Sequence, residues 1–96
     1  MNKQLPIIVK FKVKPDKIEL VTSELLKILE PTRKEDGCIL YDLHRDLEDP
    51  TVLMFYEIWE TVDHWRVHDK QEHIAKFRKA IDGAVESITF NKLELL

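Results

Sequence analysis

Two runs rich in β-branched and aromatic residues, Cys38–Arg45 and residues 52–60, flank the polar stretch Asp46-Leu47-Glu48-Asp49-Pro50-Thr51. Proline has no N–H to give to a ladder, and clustered Asp residues favour turns, so the two runs read as the arms of a β-hairpin. A hairpin alone is marginal in water; its apolar face must be covered by further strands or by helices. In a chain of 96 residues that cover can belong to only one hydrophobic core, so residues 1–96 are expected to form one domain.

The remaining segments supply the cover. Val9, Phe11 and Val13 alternate with Lys10, Lys12 and Lys14, the period-two pattern of a strand with one apolar face, and Pro15 ends it. Asp16 and Glu19 have capping-box spacing, and Ile18, Val21, Leu25, Ile28 and Leu29 follow at helical spacing, which predicts a helix that frays after Pro31. Gly37 is the expected left-handed stop before the hairpin. Thr61 can cap a short helix reaching about His68. Asp69 with Glu72 repeats the capping-box spacing ahead of Ile74, Phe77 and Ile81, so the second helical region is expected to be divided near Asp69 and stopped at Gly83. Residues 85–96 read as a last strand whose apolar phase slips from Ile88 and Phe90 to Leu93 and Leu95, which a bulge near Asn91 would produce.

The order β-α-β-β-α-β predicts an α+β, ferredoxin-like fold: a four-stranded antiparallel sheet with helices on one face. The other face has nothing left to cover it, so an isologous homodimer is expected. Lys10, Lys12 and Lys14 would then lie on the covered side and would need water or carboxylate partners.

Charge narrows the function classes. A formal net charge of -3 provides no broad basic field, so a nucleic-acid partner is not expected. The apolar run at residues 5–9 is interrupted by Pro6 and ended by Lys10, too short for a membrane span or a signal-peptide core. The one cysteine, Cys38, cannot form an intramolecular disulfide and suits a reducing compartment, so a cytoplasmic location is expected. No Gly-rich phosphate loop, G-x-S-x-G elbow or paired-Cys motif occurs, which removes phosphoryl transfer and serine hydrolysis from the field.

Parity puts Phe55, Glu57 and Trp59 on one face of the third strand. A carboxylate between two aromatic rings is unusual core; if this face meets the helices, desolvation should raise the Glu57 pKa unless a cation or donor holds it ionised, and His68 is the candidate partner. The bland alternative is a structural Glu–His or Glu–Arg pair that ties the helices to the sheet. Tyr41 and His44 fall on opposite faces of the second strand, so without a bulge at most one of them shares the pocket. His64 and His68 are four apart, but no Glu follows the first, and a third ligand would have to come from His44 or His73; no metal site is expected. Cys38 reads as a small core residue, not a nucleophile.

The series Gly37-Cys38-Ile39-Leu40-Tyr41-Asp42-Leu43-His44-Arg45, then Asp49-Pro50, then Phe55-Tyr56-Glu57-Ile58-Trp59-Glu60, with His68 and Phe77 beyond, resembles the recurring pattern of the antibiotic-biosynthesis-monooxygenase family. The resemblance implies a dimeric α+β barrel with one small-molecule pocket between each sheet and its helices. Members are similar to quinol or aromatic-polyketide oxygenases that use dioxygen without metal or flavin, to haem-degrading enzymes, and to an isomerase of a phosphorylated signalling sugar. This chain departs from the haem-degrading type, having no Asn in residues 5–14. It departs from the anthrone-oxygenase type in carrying Phe55 where that type has an Asn four residues before its Trp.

The function expected from the resemblance is a cofactor-independent monooxygenase acting with dioxygen on a quinol-like or electron-rich aromatic. His68 would take a proton, oriented by Glu57, while Trp59, Phe55 and Phe77, with Tyr41 or His44, would hold the ring. The alternatives are an isomerase or tautomerase that shuttles a proton through the same pair, and a non-catalytic dimer that binds a metabolite.

Overall fold

The computed structural model describes residues 3–96. Its elements are strand β1 (Leu5–Val13), a 3-10 turn (Pro15–Lys17), helices α1 (Ile18–Lys27) and α2 (Leu29–Arg33), strands β2 (Cys38–Arg45) and β3 (Val52–Trp59), helices α3 (Val62–Asp69) and α4 (Glu72–Ala80), and strand β4 (Val85–Lys92). The strands form one antiparallel sheet in the order β2-β3-β1-β4. The α+β, ferredoxin-like fold expected from the element order is the fold adopted.

Register decides which side chains meet. Ile7 faces Glu57, Val9 faces Phe55 and Phe11 faces Leu53 across β1 and β3, and Val9 faces Phe90 across β1 and β4. These residues share a sheet face with Val13, Tyr41 and Trp59. Val21, Leu25 and Ile28 from α1 and its end, and Ile74, Phe77 and Ile81 from α4 and its end, pack on them as one core. Complete burial of a side chain such as Leu25 or Ile7 contributes about 1.5–3 kcal/mol, so this contiguous face is what holds the helices to the sheet.

Several local expectations are corrected. Pro31 does not end the first helical segment. The chain breaks earlier, at Ile28, and restarts as α2 with Pro31 in its first turn, where a helix has no use for the missing N–H. Asp16 does not cap α1, because the 3-10 turn intervenes and Lys17 stands at the cap position without a side-chain bond. Asp69 does not cap α4 either; Gln71 takes that position, and Asp69 pairs with Arg78. The ladder irregularity lies between Lys12 and Val13 opposite residues 85–87, not near Asn91. The phase slip after Phe90 lies past the end of β4 at Lys92: the Leu93 N–H still donates to Pro6 O at 2.8 Å, and Leu93 and Leu95 line the cleft beside Tyr56 and Ile58. Gly37 and Gly83 do stop their segments, at φ +83° and +79°, in the region where a side chain is disfavoured. The β1 lysines find partners or water: Lys12 Nζ donates to Asp49 at 2.9 Å and Thr51 at 2.6 Å, and Lys10 is exposed.

Candidate active site

Thr61 follows β3 with extended backbone, and its hydroxyl oxygen accepts the His64 N–H, capping α3. This short reversal lays α3 back over the sheet and brings His68, in its last turn, against Trp59. The two rings are 4.6 Å apart at 33°, and Tyr41 meets His68 edge-on at 5.6 Å. His68 is 5% exposed.

A cavity of about 60 Å³ lies between the sheet and these helices. Tyr41, Phe55, Glu57, His68 and Phe77 all line it, as do Ile88 and Phe90 on its β4 side. Tyr41 stacks on Phe55 at 4.3 Å. Of the sequence-derived set, then, five residues converge. Trp59 is adjacent but does not line the space: it is fully buried behind Glu57 and donates its Nε1–H to Glu57 Oε1 at 2.8 Å. His44 is excluded. It pairs with Met54 on the opposite sheet face and is exposed, because Tyr41 faces Glu57 in the ladder and a three-residue step along a strand changes face.

The expected Glu57–His68 pair is not formed. Glu57 receives its bond from Trp59, two residues along the same strand face, whereas His68 Nδ1 lies 2.8 Å from Glu35 Oε2. His73 Nε2 lies 3.0 Å from the same Glu35 oxygen and 3.1 Å from Thr32 Oγ1. Glu35 sits in the connection between α2 and β2, just before Gly37, and sequence reasoning missed it. No periodicity marks a loop carboxylate, and 33 residues separate it from His68. The one signal was its position at the turn that Gly37 makes.

Electrostatics follow from burial. Glu57, 2% exposed, has its carboxyl pushed up to about 7 by desolvation, opposed by the Trp59 bond and reinforced by the charges of Glu35 and Asp69. Burial holds the His68 imidazole below its ordinary range, so the ring is neutral at pH 7. Burial raises Glu35, and the charge and hydrogen bond of His73 oppose that rise. The Cys38 thiol is pushed up to about 11, by desolvation first and then by Glu35 and Glu57, which removes it as a thiolate nucleophile. The site therefore offers a neutral imidazole and a carboxyl that is largely a proton carrier near neutrality, set among aromatic walls. That combination can accept one proton and supply another.

His64 and His68 do not converge. His64 Nδ1 lies 2.7 Å from Thr61 Oγ1 and Nε2 is 3.4 Å from Asp36. Donor atoms of Glu35, His68 and His73 fall within 4.8 Å of one another, but hydrogen bonds account for that closeness. Among the described residues no buried side-chain nitrogen or oxygen lacks a partner.

Comparison with known proteins agrees with this architecture. A Pseudomonas aeruginosa protein of known crystal structure superposes with a TM-score of 0.94 at 27% identity, over 100% of this chain and 97% of that one. A crystal structure of an antibiotic biosynthesis monooxygenase superposes with a TM-score of 0.90 at 27% identity, over 96% and 98%. An uncharacterized protein of Synechocystis sp. is 39% identical over 56 residues, which are 56% of this chain and 38% of that relative's length. The model of the antibiotic biosynthesis monooxygenase family matches residues 6–80, a span from the start of β1 to the end of α4 that includes every residue lining the cavity except those of β4, and the chain belongs to that family.

Proposed function

We propose that this chain is a cofactor-independent monooxygenase for a quinol-like or otherwise electron-rich aromatic, working as a homodimer. The observation that carries the reading is the pairing, in one aromatic-walled cavity, of a neutral imidazole with a carboxyl of near-neutral pKa. Nε2 of His68 takes the proton of a substrate hydroxyl. The resulting anion passes one electron to dioxygen, and the radical pair combines to a substrate hydroperoxide. His68 returns its proton to the peroxide, Glu57 protonates the distal oxygen, and the O–O bond breaks as the adjacent substrate C–H bond gives its electron pair to the new carbonyl and its proton back to Glu57: one oxygen atom stays on the substrate, the other leaves as water with two of the substrate's hydrogens. The substrate supplies all four electrons that dioxygen takes up, two in forming the hydroperoxide and two from the C–H bond in cleaving it; the protein supplies position and low dielectric.

The cavity volume of about 60 Å³ is smaller than a benzene-sized guest needs. A bound ring must therefore extend toward β4, where Ile88 is 40% and Phe90 50% exposed. Support for the dimer comes from the other sheet face. Met54 and Ile58 are half-buried there, Tyr56 is 38% exposed, and a cleft of about 820 Å³ continues past Tyr56 and Ile58 to Val62 and Leu95. The single cysteine, Cys38, suits a reducing, cytoplasmic setting.

The test compares turnover of a quinol panel in air and under anaerobic conditions, with ¹⁸O₂ to trace incorporation. Oxygen-dependent turnover with label in the product is expected. Equal turnover without oxygen would move the reading to an isomerase or tautomerase that uses the same two groups to shuttle a proton. No helix of the described residues is long and apolar enough to cross a membrane.

A further inference from the structure

Glu35 lies outside the cavity wall, yet it is the group that decides what His68 can do there. Its Oε2 faces two imidazoles, His68 Nδ1 at 2.8 Å and His73 Nε2 at 3.0 Å. The His68 and Glu35 side chains are 7% and 10% exposed and that of His73 25%. Among the described residues no Lys or Arg pairs with Glu35. An ionised carboxylate only accepts, so both facing nitrogens must carry hydrogen. His68 then has Nδ1–H, and Nε2, which takes no hydrogen bond among the described side chains, is bare; since no fully buried side-chain nitrogen among the described residues lacks a partner, Nε2 must keep an opening, and the cavity that the ring lines supplies it. Trp59 and Tyr41 pack against the ring and favour this orientation.

We propose that Glu35 is the positioning residue of His68, locking the imidazole in the tautomer whose bare Nε2 meets the substrate, and that His73 clamps Glu35 in that role. The inference rests on the reading of His68 as the base. When Nε2 takes the substrate proton, the imidazolium keeps its Nδ1–H on the carboxylate, so the new charge forms against an anion already in place. His73 acts from the solvent side. Its Nε2–H is shared between Glu35 and the fully buried Thr32 hydroxyl, a second donor that favours the carboxylate over the acid. Protonated Glu35 would donate to Nδ1 instead, turning His68 into an Nε2–H donor with no capacity to accept. Other charges face this group. Asp69 on α3 and Arg78 on α4 act on His68 with opposite signs, Glu57 on β3 lies close enough for its charge to be felt together with that of Glu35 at Cys38 and Tyr41 of β2, and Arg33 at the end of α2 opposes them at Cys38.

The experiment reads the tautomer directly. In full-length protein labelled with ¹⁵N-histidine, long-range ¹H–¹⁵N correlation spectra at pH 7 should show His68 with Nδ1 protonated and Nε2 bare. Glu35→Gln should weaken that preference by about tenfold or more, the effect of losing one charge-assisted hydrogen bond, and Glu35→Asp should restore part of it. His73→Gln should leave the tautomer in place at pH 8 and raise the pH at which it inverts on acidification. In aerobic turnover, Glu35→Gln should lower kcat with KM little changed. A wild-type His68 with bare Nδ1 overturns the proposal. So does an unchanged tautomer in folded Glu35→Gln or, should that variant not fold, an unchanged inversion pH in His73→Gln. Stoichiometric zinc binding at micromolar concentration that shifts both imidazoles would also overturn it, making the cluster a cation site. The tautomer is read without substrate. A correct tautomer in a protein with no oxygen-dependent turnover would therefore defeat the monooxygenase reading alone.

Discussion

Glu57 has the pH dependence easiest to isolate. Its folded-state carboxyl titrates near 7 against a reference of 4.5, so between those values the folded chain binds the proton that the unfolded chain has released. Stability from this group is complete below about 4.5 and is lost as pH rises through about 7, by about 3 kcal/mol in all. Chemical-denaturation curves of wild type and Glu57→Gln from pH 5 to 9 should therefore converge and then cross in favour of the variant; parallel curves would show that the carboxyl is not held up. His68 works in the opposite sense: its depressed pKa favours folding above about 6.5, and that contribution fades on acidification. The difference between the two proteins removes it. For His68→Ala two effects are expected together. Turnover should fall by about 10²-fold or more through loss of the base, and stability by about 1–3 kcal/mol because buried Glu35 loses a donor. A variant with full activity would return His68 to a purely structural tie.

The connection that carries Glu35 is pinned by Gly37. Its φ is +83°, and a Cβ there would run into the His64 side chain, whereas the Cβ of an alanine at Gly83, φ +79°, would meet open space. Gly37→Ala should thus destabilise by about 2–4 kcal/mol, strain plus collision, and Gly83→Ala by about 1 kcal/mol, strain alone. Thermal melts of the two variants should show that order. Removing the α3 cap in Thr61→Ala should lower stability by about 1 kcal/mol. Both glycine stops and the Thr61 cap were legible because each depends on one residue's local conformation. The capping boxes at Asp16 and Asp69 were misread for a related reason: the same three-residue spacing recurs by chance in a chain with 34% charged residues, and only tertiary contacts reveal that Asp69 is committed to Arg78.

At the scale of the molecule, the proposed dimer is checked by sedimentation at micromolar concentration, where a species of two chains is expected. Ile58→Lys, on the face away from the helices, should yield a monomer that stays folded; a stable wild-type monomer would remove the barrel arrangement. Hydrophobic periodicity by itself determined the element order, the antiparallel sheet and the shared face of Phe55, Glu57 and Trp59, since a two-residue or 3.6-residue repeat states directly which side chains point together. It did not determine register or partners. Tyr41 rather than His44 reached the cavity because β2 pairs with β3 in one of two phases, a choice made by packing of the whole sheet. Trp59 became the donor to Glu57, and Glu35 the partner of His68, because folding brings a loop carboxylate beside two helices distant in sequence. Polar partnerships of that kind are settled by the desolvation cost of each buried group in the finished structure, which no local pattern of residues records.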